Sequence, residues 1–142
     1  MKRVFLLMVI CCLFTAKGFG QEPAKDNNPN APEITFTETT HDFGKVPFKG
    51  QAECEFTFTN TGKEPLIIQQ CSASCGCTAP TCPKEKPIKP GEKGTVKVQY
   101  TTTYAPGPFN KSVTVTSNAK NTRVMLTIKG EILKDTEETA AK

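Results

Sequence analysis

The chain has no tryptophan, one histidine and no apolar run longer than 13 residues. Without tryptophan it lacks the buried indole that marks antibody-type β-sandwiches. With His41 as the sole imidazole a two-histidine zinc helix is excluded, and neither a nucleophile elbow nor a phosphate loop is present. General acid–base and nucleophilic mechanisms need a base oriented by a partner within reach. His41, in the setting His41-Asp42-Phe43-Gly44, reads instead as a turn or strand-end residue. The sequence therefore indicates no enzyme, and no catalytic or cofactor-binding residue is assigned.

The longest apolar run, Val4 to Ala16, follows Lys2 and Arg3. It is too short for a bilayer, which takes about 20 helical residues. A basic start, an apolar centre and Gly18-Phe19-Gly20 fit a secretory signal over residues 1–20, with Gln21 as the new N-terminus. Ile10 and Cys11, which precede Cys11 and Cys12, are not the small residues a lipidation site requires. The mature chain is thus expected to be exported, periplasmic or extracellular, and without a transmembrane segment. Its charge changes with processing. The signal holds three of the 18 basic residues and none of the 14 acidic ones, leaving 15 against 14. The basic balance belongs to the export signal, and the electrostatic footprint of a nucleic-acid binder is missing.

Residues 21–32 carry prolines and asparagines with no large apolar side chain, and read as a flexible linker. Residues 133–142 form a polar C-terminal tail. Between them, 33–132 is the size of one small domain, and no internal repeat divides it. Period-2 alternation dominates this stretch. Ile34 and Phe36 alternate with threonines, and Cys54, Phe56 and Phe58 alternate with Glu53, Glu55 and Thr57. The same pattern recurs in Leu66 and Ile68, in Val96, Val98 and Tyr100, in Phe109, Val113 and Val115, and in Val124, Leu126 and Ile128. Asn60-Thr61-Gly62 and Pro90-Gly91 supply turns, and Pro106-Gly107-Pro108 must end or start a strand. The expectation is an all-β, immunoglobulin-like β-sandwich of about seven to eight antiparallel strands.

Five cysteines remain after the signal: Cys54, Cys71, Cys75, Cys77 and Cys82. The odd number leaves at least one thiol free or paired between chains. Cys54 shares a face with Phe56 and Phe58 and is read as a buried free thiol, a small hydrophobe. The other four crowd into 12 residues, as a disulfide or thiol loop, and allow three pairings. Cys71–Cys82 would close the larger loop, a cross-link that contributes about 3 kcal/mol by chain entropy. Cys75 and Cys77 would then pair inside it, through a ring expected to miss the preferred Cα separation and to be strained and reducible. The spacing C-x₃-C-x-C-x₄-C does not match the usual paired zinc ligands, and only Met125 and His41 could supplement thiolates for copper. No metal ligand is assigned. Glu53 and Glu55 read as solvating charges, and Lys84, Lys86, Lys89 and Lys93 as a solvated loop that an anionic envelope polymer could touch.

Several ordered segments carry a family resemblance. They are His41-Asp42-Phe43-Gly44-Lys45-Val46, Phe58-Thr59-Asn60-Thr61-Gly62 with Pro65-Leu66-Ile67-Ile68, Ser74-Cys75-Gly76-Cys77-Thr78, Ile88 to Gly94, and Gly107 to Asn118. Over about residues 34–131 the chain resembles the bacterial domain of unknown function 1573 family. Its Phe-Gly and Asn-x-Gly segments also resemble the broader sandwiches related to major sperm protein and ciliary domains. The resemblance implies an exported or periplasmic immunoglobulin-like protein of Bacteroidetes-type bacteria, and it brings no activity with it. Cys71 and Cys82 lie around the family's usual Cys-Gly-Cys pair. The expected function is a non-enzymatic binding or structural module of the cell envelope, disulfide-stapled, with a protein or another envelope component as partner. The alternative is a thiol-redox or soft-metal (copper) handling protein that uses Cys75 and Cys77.

Overall fold

The structure, a computed structural model, describes residues 28–103 and 105–134. The signal expected over residues 1–20, the first part of the expected linker and the expected tail from residue 135 lie outside the described residues. Eight strands follow one another: β1 Ile34–Phe36, β2 Thr40–Val46, β3 Gln51–Asn60, β4 Ile68–Ala73, β5 Thr78–Thr81, β6 Lys93–Thr101, β7 Gly107–Ser117 and β8 Arg123–Ile132. They form two four-stranded sheets, in the orders β1-β3-β6-β5 and β2-β8-β7-β4.

Alternation in the sequence becomes a single covered face in each sheet. Along β3, Ala52, Cys54, Phe56, Phe58 and Asn60 are buried, while Gln51, Glu53 and Glu55 are exposed. Its partner β6 contributes Val96, Val98 and Tyr100, opposite Phe56, Cys54 and Ala52. Val113 and Val115 of β7 and Leu126 and Ile128 of β8 close the core from the other sheet. A fully buried side chain of this size contributes about 1.5–3 kcal/mol. The Phe58 ring lies against Gly94, where a Cβ would collide with it, and Tyr100 stacks on Phe109 at 4.3 Å.

Two features depart from the sequence reading. Not every pair is antiparallel: β2 runs parallel to β8, from Thr40↔Thr127 to Val46↔Ile132. These strands come from opposite ends of the domain, so no hairpin turn forces them antiparallel. A bulge between Asp42 and Lys45 interrupts the pair. There Gly44 takes φ +62° and donates its N–H to Asp42 Oδ1 at 2.8 Å. Secondly, the linker assigned through Pro32 docks from Asn28 onward. Ala31 is 1% exposed, its N–H donates to Asn28 O at 3.1 Å, and Lys120 N–H donates to Pro32 O at 2.9 Å. Polar composition concealed this docking, which needs only one small apolar side chain and a backbone groove to receive it.

Candidate functional site

β4 and β5 lie at corresponding edges of opposite sheets, so the segment joining them crosses an end of the sandwich. This crossing carries the cysteines. Cys71 on β4 is bonded to Cys82, one residue past β5, with the Cα atoms 6.5 Å apart. Cys75 is bonded to Cys77 across Gly76, with a Cα separation of 5.4 Å. That spacing falls inside the ordinary disulfide range. The expected departure from the preferred separation is therefore corrected. Gly76 has no left-handed φ, and a Cβ there would meet no atom within 4 Å, so neither backbone conformation nor crowding requires glycine.

Backbone hydrogen bonds hold the turn at both ends. Ser74 N–H donates to Ser112 O at 2.9 Å, Thr78 N–H to Cys75 O at 3.3 Å, and Thr101 N–H to Cys77 O at 3.0 Å. Thr78 is buried below the ring, with its Oγ1 3.5 Å from Cys75 Sγ and 3.9 Å from Cys77 Sγ. Sequence reading left β5 inside the cysteine loop and missed this hydroxyl. The Cys-Thr junction at 77–78 was the signal available, since a threonine beginning a strand can turn its hydroxyl back on the preceding residues.

Cys54 lies apart from the loop, as a free thiol 8% exposed within the core. Burial, with a smaller contribution from the Glu38 charge, pushes this thiol up to about 11. Both loop pairs are oxidised, so they present no thiolate to a metal ion. Among the described residues, no three His, Cys, Asp or Glu side chains gather as a metal site.

The remaining candidates are dispersed. His41 is the second residue of β2, edge-on to Phe43 at 4.7 Å and 3.4 Å from Glu38 Oε1. Beside it, the Gly44 N–H and then Lys129 hold the Asp42 carboxyl below its ordinary value. Glu53 and Glu55 are more engaged than solvating charges. Glu53 accepts from Gln99 Nε2 at 2.6 Å, and Glu55 pairs with Lys97 at 2.9 Å, which raises the lysine's proton affinity. These groups line a shallow hollow of about 380 Å³, bordered by Ala79 and Thr81 of β5, that sequence reading did not foresee. Lys84, Lys86, Lys89 and Lys93 are all exposed.

Comparison with solved structures finds the same β-sandwich fold in other proteins. A protein of unknown function from Porphyromonas gingivalis W83 superposes with a TM-score of 0.62 at 13% identity, covering 72% of this chain. The chain spans only 48% of that protein. The ASH / PapD-like domain 7 of human CEP192 gives a TM-score of 0.62 at 9% identity, over 81% of this chain and 94% of the domain. The Pseudomonas aeruginosa CupB2 chaperone gives 0.51 at 14% identity, over 76% of this chain and 61% of the chaperone. At these identities the likeness is one of fold alone. Comparison with curated proteins finds no match. Residues 34–132, from the start of β1 to the end of β8, match the profile of the DUF1573 proteins of unknown function, and the chain belongs to that family.

Proposed function

We propose that the chain is an exported, non-enzymatic binding module of the bacterial cell envelope, stapled by disulfides, that takes an extended peptide segment of another envelope protein along β4. The observation that carries this reading is the unequal protection of the four sheet edges. β1 has three residues, β2 is broken by the bulge between its charged residues Asp42 and Lys45, and β5 contains Pro80. Each is a device that discourages strand addition. β4 reads Ile68-Gln69-Gln70-Cys71-Ser72-Ala73, without a charge or a proline. On the outer side Ile68 bridges Lys84 and accepts from Glu85 N–H at 3.3 Å, and the Cys71 side chain is bonded to Cys82, while no backbone hydrogen bond from another strand is seen on that side along Gln69–Ala73 among the described residues. In an antiparallel ladder alternate residues turn their N–H and C=O away from the partner strand, which leaves such groups on β4 for an added strand.

Export is supported by the two disulfides and by the apolar start of the sequence. Among the described residues no helix is long and apolar enough to cross a membrane. The test is photo-cross-linking in the native envelope from a probe at exposed Ser72, with exposed Met125 on β8 as the control position. A defined adduct from position 72 and none from 125 is expected. Equal labelling from both, or from neither, would overturn the edge assignment. In the same cells, N-terminal sequencing should find Gln21 first in a soluble fraction. Retained Met1 in the membrane pellet would overturn the export reading.

A further inference from the structure

The Cys75–Cys77 bond sits in a turn that other contacts already fix. Ser74, Thr78 and Thr101 hold its backbone by hydrogen bonds, and Cys71–Cys82 closes the segment from outside. Opening the inner bond therefore frees two sulfurs without releasing the strands. A bridge spanning one residue also removes little chain entropy, so the stability of the domain does not depend on it. Its surroundings are asymmetric. Outward, both cysteines are half-buried and Gly76 is exposed, with no atom beyond its chain neighbours within 4 Å of the Cβ position, so the turn faces solvent, while Cys77 also packs against the core. Inward, the Thr78 hydroxyl is nearer to Cys75 Sγ, at 3.5 Å, than to Cys77 Sγ, at 3.9 Å.

We propose that Cys75–Cys77 is a thiol–disulfide exchange site that oxidises the dithiols of other exported proteins, a role beyond peptide binding. A substrate thiolate attacks Cys77 Sγ, the Cys75–Cys77 bond breaks, and a mixed disulfide forms between the substrate and Cys77. Cys75 leaves as a thiolate, and the Thr78 hydroxyl donates to it in a charge-assisted hydrogen bond. A more stable leaving thiolate departs faster. The substrate's second thiolate then attacks the substrate sulfur of the mixed disulfide and expels Cys77. The substrate leaves as a disulfide, its two electrons remain on Cys75 and Cys77, and the protons lost by its thiols are matched by those the two cysteines take up.

Dithiothreitol is the probe that tests this on the oxidised, exported protein. The protein is equilibrated over a series of reduced-to-oxidised ratios, alkylated, and mapped by mass. Cys75–Cys77 is expected to open at a ratio at least about tenfold lower than Cys71–Cys82, with the melting curve unchanged. Both bonds opening together, or the inner one opening only on unfolding, would overturn the proposal. Thr78→Val should slow opening about fivefold or more, and Thr78→Ser, which keeps the hydroxyl, should restore the rate. Equal rates in all three proteins would remove Thr78 from the mechanism and overturn attack at Cys77 as the directed step.

Discussion

Gly62 lies directly under the backbone of Ala31: a Cβ there would sit 2.5 Å from Ala31 O and equally close to Glu33 N. Gly62 has no left-handed φ, so glycine serves a close approach of two chain segments rather than a turn conformation. Gly62→Ala is expected to lift residues 28–33 from the domain and to cost about 1–3 kcal/mol. Thermal melting gives the loss. Hydrogen exchange should show it locally, at Ala31 N–H and at Thr61 N–H, which donates to Glu33 O at 2.8 Å. Unaltered protection at both amides would refute the relationship.

Asn60 connects the same region to the rest of the core. It is fully buried, and its Nδ2 donates to Glu64 O at 2.8 Å and to Ile88 O at 2.9 Å. Its Oδ1 accepts from Gly62 N–H at 3.0 Å. Asn60→Ala strands these backbone groups and should cost roughly 3 kcal/mol or more. Asn60→Asp keeps the shape but removes both donations, and is expected to be no milder at neutral pH. A denaturant midpoint close to wild type for either variant would show that water replaces the side chain without penalty.

Cys71–Cys82 should carry most of the stabilisation that cross-linking gives this domain. Replacing both cysteines with alanine is expected to remove about 3 kcal/mol and lower the melting temperature by several degrees or more. Replacing Cys75 and Cys77 should change it far less. Calorimetry of the two double variants side by side makes the comparison, and a reversed order would contradict it.

Cys54 makes stability depend on alkaline pH. Its folded thiol titrates at about 11, above the ordinary 9.0, so folding favours the protonated form. Its contribution is complete below pH 9 and declines as pH rises towards 11 and beyond, by roughly 2–3 kcal/mol in all. Cys54→Ala should cost about 1 kcal/mol at neutral pH and then show a shallower alkaline loss than the parent protein. Parallel alkaline slopes would mean that the thiol does not ionise in that range.

The strands could be read from the sequence because a two-residue period is a local property. Cys54, Phe56 and Phe58, and Val124, Leu126 and Ile128, declare their face without reference to a partner. Leu66 misled slightly, since it bridges Ile88 in isolation and β4 begins only at Ile68. β5 was invisible, because four residues that include a proline give no period to detect. The partner of β2 and the docking of Ala31 depend on surfaces assembled from distant segments, which local pattern does not encode. The crowding of four cysteines marked the loop. The placing of the Thr78 hydroxyl beneath two sulfurs needed coordinates.

The parallel pairing of β2 and β8 has a mechanical consequence. Once residues 28–33 and β1, which is paired to β3, have come away, tension between the start of β2 and the end of β8 pulls these neighbours past one another along their length. Backbone bonds at both limits of the pair, Thr127 N–H to Thr39 O at 2.7 Å and Leu133 N–H to Val46 O at 2.9 Å, then share the load in shear instead of parting one after another. A module tethered at one end and bound to a partner at the other would resist tension along the direction in which these strands are joined.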